Sequence, residues 1–169
     1  KSNRDLLKDK PRGKNESILN KDFLLGIGFE GLLIAIFTMV AFYIGNPKET
    51  PLTASTMAFA TLCLARLFHG FNCRGKGSIF KLGVFSNKYV WYAFGVGLVL
   101  LNAVLFVPFL QNLFEVENLA FNQYVSIYVL AFIPTLIIQL KKVIFEFIEN
   151  KKSKNNANIN RSGELKDIA

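Results

Sequence analysis

The chain has 169 residues, a formal net charge of +8, 51% hydrophobic residues and 17 Phe. So apolar a composition excludes an ordinary soluble domain, and the basic charge raises the question of whether it forms a nucleic-acid face or flanks a membrane. Cys63 and Cys73 lie roughly 15 Å apart along one helix and its end, too far to bridge. With neither CxxC nor a Cys/His cluster at ligand spacing, no metal site is expected.

Residues 1–22 read as a basic lead-in, holding Lys1, Arg4, Lys8, Lys10, Arg12, Lys14 and Lys21. No basic-then-apolar segment with a small-residue cleavage site follows Lys1, so a signal peptide is not expected, and the chain reads as a piece of a longer one. The first apolar stretch, Phe23–Gly45, is long enough to cross the roughly 30 Å hydrocarbon core as a helix. Its Gly31-x-x-x-Ala35 pair, beside Gly26 and Gly28, predicts a seam for close helix packing. The second, Leu52–Phe71, repeats the device with Ala54, Ala58, Thr61 and Ala65. The third is Tyr89–Phe109. The fourth, Tyr124–Leu140, is short unless it continues into Lys141 and Lys142, and Pro134 is expected to weaken or bend it by removing a backbone donor. Lipid offers no partners to free backbone groups, and none of these stretches alternates with the period of barrel strands, so helices are the form expected.

Between the third and fourth stretches, Leu110–Gln123 mixes Phe114, Val116, Leu119 and Phe121 with Glu115 and Glu117. It reads either as a connecting loop, which loop statistics favour, or as a stretch lying on the outer interface. From Asn150 the chain is rich in Lys and Asn, and a poorly ordered tail over 149–169 is expected. No internal repeat supports an inverted-repeat transporter.

The basic residues decide the orientation. Eighteen of the 20 Lys and Arg lie in the lead-in, in the Asn72–Lys88 connection or after the fourth stretch; the other two connections hold only Lys48, and Arg66 lies within a span. By the positive-inside rule, an all-α membrane protein with four transmembrane helices and both termini cytoplasmic is expected. The charge flanks a membrane, and nucleic acid is not an expected partner.

Two ionisable residues fall inside the spans, where a charge costs several kcal/mol at the bilayer centre and marks protein or water contact. Glu30 lies about 10 Å in from the cytoplasmic side and Arg66 about 7–8 Å in, by the helical rise. Arg66 has three open readings: it snorkels to headgroups, pairs with Glu30, or faces an ion pathway. His69 follows by three on the same face, and a lone interfacial His is most often hydrogen-bonded to a neighbour.

These residues resemble the carboxyl-terminal four-helix region, helices seven to ten, of P-type cation-transporting ATPases of the calcium-pump type, with a bacterial cast. The resemblance spans roughly residues 5 to 148. It is carried by Asp9-Lys10-Pro11-Arg12, Glu30-Gly31, Thr56-Met57-Ala58-Phe59, Ser78-Ile79-Phe80, Asn87-Lys88, Pro108 and Phe114. Its most specific part is Arg66-Leu67-Phe68-His69-Gly70-Phe71-Asn72-Cys73-Arg74.

The resemblance implies a module over 23–148 that braces the ion-carrying helices of an ATP-driven pump, with a divalent cation, calcium foremost, as cargo. It implies ATP and Mg2+ as requirements of the parent, and a bacterial plasma membrane as the location. The phosphorylated Asp and the nucleotide site would lie elsewhere in the parent, so this fragment alone is expected to be inactive and to hold no cofactor. It also places Arg66 where relatives carry a cation ligand. A guanidinium donates only and cannot ligate calcium, so Arg66 becomes the candidate counter-charge, with His69, Asn72 and Glu30 secondary. The alternative function is a self-contained four-helix membrane protein with a structural or assembly role.

Overall fold

The computed structural model describes residues 21–73 and 87–167 of the chain. Five helices account for nearly all of them: α1 (Lys21–Ile44), α2 (Pro51–Asn72), α3 (Lys88–Phe106), α4 (Pro108–Phe114) and α5 (Phe121–Asp167). Four are long and apolar enough to cross a membrane: α1, α2, α3 and the Phe121–Ile148 part of α5. The chain is a multi-pass, all-helical membrane protein. The Asp9–Arg12 and Ser78–Phe80 segments, and most of the basic connection between α2 and α3, lie outside the described residues.

Local chemistry sets the helix ends. At the turn into α2, Asn46 takes a left-handed φ of 53°, which Asn tolerates better than most residues, and its side-chain amide donates to Glu49 at 2.7 Å. The Thr50 hydroxyl donates to the Gly45 carbonyl at 2.8 Å, and Pro51 opens α2, where its missing N–H costs nothing. Gly45 is needed here because any Cβ would run into the Ala54 backbone. At the start of α3 the Asn87 side chain accepts from the Tyr89 amide at 3.1 Å, an N-cap.

α2 is the central helix, packing on α5, α1 and α3, while α1 also touches α5. The core joins Ile34 and Ala41 of α1, Met57, Ala60, Leu64 and Ala65 of α2, Leu101 and Leu105 of α3, and Ile127 and Ala131 of α5. At the Asn72 end of α2, Phe68 meets Phe94 and Phe132 with ring centres 5.5 and 5.3 Å away. Phe71 there meets Trp91 at 5.1 Å.

Several expectations change in detail. The third span ends at Phe106, not Phe109, because Val107 is extended (φ −87°, ψ 116°), the conformation a following proline imposes; Pro108 then starts α4. The stretch expected as a loop from Leu110 is therefore helical as far as Phe114, where Glu115 in the left-handed region (φ 51°) ends it. The fourth span is not short, since α5 runs on through Lys141 and Lys142, and also through a fully buried Pro134. α5 itself extends past Asn150 to Asp167. Of the two small-residue seams, α2's is used, with Ala54, Thr61 and Ala65 all buried. That of α1 packs on nothing among the described residues: Gly31 and Ala35 are exposed, and a Cβ on Gly31 would meet nothing there.

Candidate functional site

The polar residues singled out in the sequence gather where the Asn72 end of α2 meets α1 and α5. A helix turns about 100° per residue, so consecutive positions on α2 face different neighbours. Leu64 and Ala65 are buried, whereas Arg66 is exposed on the bundle's surface. Three residues on, His69 Nε2 lies 3.4 Å from Glu30 Oε2 of α1, with the side chains 15% and 24% exposed. The partner of Glu30 is thus His69. No ion pair joins Glu30 to Arg66 among the described residues. Arg66 and His69, three residues apart, share one side of α2, and among the described residues His69 is the one that comes within ion-pair distance of Glu30.

Asn72, 2% exposed, closes the cluster on the α5 side. Its Oδ1 accepts from Gln139 Nε2. Its carbonyl oxygen, one of those a helix end leaves without an intrahelical partner, accepts from Lys142 Nζ at 2.6 Å. Lys141, the next residue back, turns toward α1, its Nζ 4.2 Å from the Phe29 ring centre. Adjacent lysines of α5 thereby hold two different helices. His69 Nδ1 and Asn72 Nδ2 are buried with no hydrogen-bond partner among the described residues.

Two further polar knots escaped the sequence reading. Asn102 of α3 is met by Tyr124 and Tyr128 of α5: the Tyr124 hydroxyl donates to its Oδ1, and the Tyr128 hydroxyl lies 3.0 Å from its Nδ2. An Asn inside an apolar span is a signal for an interhelical hydrogen bond, and Asn102 could have been flagged on that ground. At the opposite end of the bundle, the Thr53 hydroxyl donates to Glu117 Oε2 at 2.6 Å, and the Glu117 amide donates to the Thr56 hydroxyl at 2.9 Å. Nothing in the spacing of Thr53, Thr56 and Glu117 announces this clasp, because the partners are more than sixty residues apart.

The chemistry available is charge placement and helix bracing. Among the described residues no three His, Cys, Asp or Glu side chains are grouped as metal ligands, and Cys63 and Cys73 are free. The family model "Cation transporting ATPase, C-terminus" matches residues 1–144. The chain belongs to that family. As a cation-ATPase C-terminus it is similar to the calcium-transporting ATPase 1 of Bacillus cereus, 31% identical over 159 residues, which cover 82% of this chain and 18% of that protein. It is similar also to the calcium-transporting ATPase of Bacillus subtilis, 33% identical over 79% of this chain and 15% of the relative. The rat calcium-transporting ATPase type 2C member 2 is 31% identical over 89% of this chain and 16% of its own length. The chain spans less than a fifth of the length of these relatives.

Proposed function

We propose that this chain is the last transmembrane part of an ATP-driven pump for a divalent cation, calcium foremost, in the plasma membrane of a bacterium. In that reading α1, α2, α3 and α5 brace the ion-carrying helices, and the lysine-rich end of the bundle faces the cytoplasm. The eighteen-to-one distribution of basic residues supports this orientation. ATP and Mg2+ act on the rest of the parent, and the fragment alone is inactive, since no phosphate-cradling glycine loop is recognisable in it.

One observation supports a part for the module in ion handling: Arg66 is exposed on the helix that is otherwise the most buried. With Glu30 occupied by His69, Arg66 is available to a group outside the four helices. A fixed positive charge within about 4 Å of a cation site opposes a bound monovalent ion by about 4 kcal/mol at an effective dielectric of 20, and a divalent ion by about twice that. Arg66 would therefore close one cation position and supply counter-charge to carboxylates left bare when the ion departs. The competing fate of Arg66 is to reach lipid headgroups along its aliphatic stem.

A flux measurement on the reconstituted full-length pump separates the two. One calcium ion per ATP is expected, together with altered ion affinity in the Arg66→Ala variant. Two ions per ATP with Arg66 in place, or an Arg66→Ala variant with unchanged affinity and turnover, would overturn the assignment.

A further inference from the structure

The short helix α4 has its polarity reversed. Gln111 is turned inward, 8% exposed, its Nε2 donating to the Leu105 carbonyl at 2.6 Å and to Asn118 Oδ1 at 2.7 Å. Phe109 and Leu113 face out, 74% and 65% exposed. A connecting helix in water would do the opposite, since an exposed apolar face gains nothing there and an amide is fully served by solvent.

The depth of α4 follows from α3. No Lys, Arg, Asp or Glu occurs from Tyr89 to Phe114. Tyr89, Trp91 and Tyr92, exposed at the start of α3, are the residues that settle at a headgroup boundary. Counting about 1.5 Å per residue from Trp91, some 30 Å of hydrocarbon ends near residue 111. α3, which ends at Phe106, stops about 7 Å short of that boundary, so α4 lies across it, and Glu115 and Glu117 follow on the water side. Its outer face also continues the lipid-facing surface of α3: Phe106 and Val107 are exposed immediately before Pro108.

We infer that α4 is an interfacial anchor, its Phe109 and Leu113 side chains seated among the upper acyl chains of the leaflet opposite the lysine-rich end. The bend at Val107–Pro108 turns the chain from crossing the membrane to lying in it. The two glutamates that follow cannot enter hydrocarbon, so the Glu117 clasp on Thr53 and Thr56 sits at a fixed height above the anchor. The occupant of the exposed face is lipid, because the face is continuous with a membrane-spanning surface and carries no charge.

The test uses nitroxide labels in the full-length protein, without other reactive cysteines, in phosphatidylcholine vesicles. Labels at Phe109→Cys and Leu113→Cys should collide freely with oxygen. With a water-soluble nickel chelate they should collide several-fold less than a label at Glu115→Cys and more than one at Val99→Cys. Chelate collision equal to that at Glu115→Cys would make the segment an aqueous loop. Shielding from both reagents would mean that another protein helix or a second copy covers it; either result overturns the inference. Should the labelled variants fail to fold, the unaltered protein can be photolysed in vesicles of phosphatidylcholine bearing an acyl-chain diazirine. Adducts on residues 106–114 are then expected, and adducts confined to 89–105 would overturn the inference as well.

Discussion

α2 and α1 differ in the direction opposite to that of helices in a soluble protein. α2 is the least apolar of the four spans, with mean hydropathy 1.3, and the most buried, at 44%; α1 is the most apolar, at 2.1, and only 11% buried. The buried face of α2 consists largely of Thr53, Ala54, Thr56, Ala60, Thr61 and Ala65, with Met57 and Leu64 as its large members. The outward face of α1 carries Leu25 and Leu32, 72% and 61% exposed. Lipid tails are as apolar as Leu, so burying Leu between helices gains little over leaving it in lipid. What favours an interior position here is close backbone approach and hydrogen bonding, which small and hydroxylated residues supply. The contrast implies that enlarging a small residue packed against α2 should cost far more than trimming a large one at the rim.

The sharpest way to break that contrast is Gly45→Val. The new side chain would be driven into the Ala54 backbone, where no rotamer change gives relief, and a loss of about 3 kcal/mol is expected. Leu32→Ala, on the exposed face of α1, should stay within about 0.5 kcal/mol. Thermal unfolding of both variants in the same detergent checks the pair. A Leu32→Ala loss equal to that of Gly45→Val would show that α1 is clasped by something its exposure in this chain does not reveal.

The same inversion explains what could be read from the sequence. The four spans were legible because length and apolarity report on lipid contact directly, and the RLFHGFNCR stretch, which begins in α2, carried the family. Burial was less legible. The seams of α1 and α2 look alike as strings of small residues, yet among the described residues only that of α2 is used, and spacing does not say which neighbour a seam will meet. The sequence left pairing with Glu30 as one open reading of Arg66 and did not point to His69 as the neighbour of Glu30, because depth counts rise along the axis and not the reach of a side chain. Lys142 binding the Asn72 carbonyl depended on α5 running past Leu140, which the apolar count stopped short of.

A smaller effect separates the members of the charged cluster. His69→Ala leaves the Glu30 carboxylate within a span without its neighbour, and a cost of about 2 kcal/mol is expected, the scale of an interaction with a charged group. Glu30→Gln keeps an oxygen facing His69 Nε2 and removes the charge, so it should cost less than His69→Ala. Unfolding midpoints of the two variants decide this. A larger loss for Glu30→Gln would mean that the carboxylate's charge is held by a group other than His69.

The smallest difference expected lies between two neighbours on α5. Lys141 and Lys142 are both half-buried, so burial alone predicts equal effects when each is changed to Met, which preserves the stem and removes the ammonium. Their partners differ. Lys142 Nζ serves the terminal carbonyl of a buried Asn, and losing it leaves an acceptor at the helix end unserved, at about 1 kcal/mol. Lys141 sits over the Phe29 ring, and Phe29 is 40% exposed, so its cation–π contact is partly shared with the surroundings and is worth about 0.5 kcal/mol. Lys142→Met should therefore lower the unfolding temperature more than Lys141→Met, and Phe29→Leu should erase the effect of Lys141→Met while leaving that of Lys142→Met intact. Since Lys141 ties α5 to α1 and Lys142 ties it to α2, a reversed order would mean that α5 is fixed chiefly by the exposed helix and not by the central one.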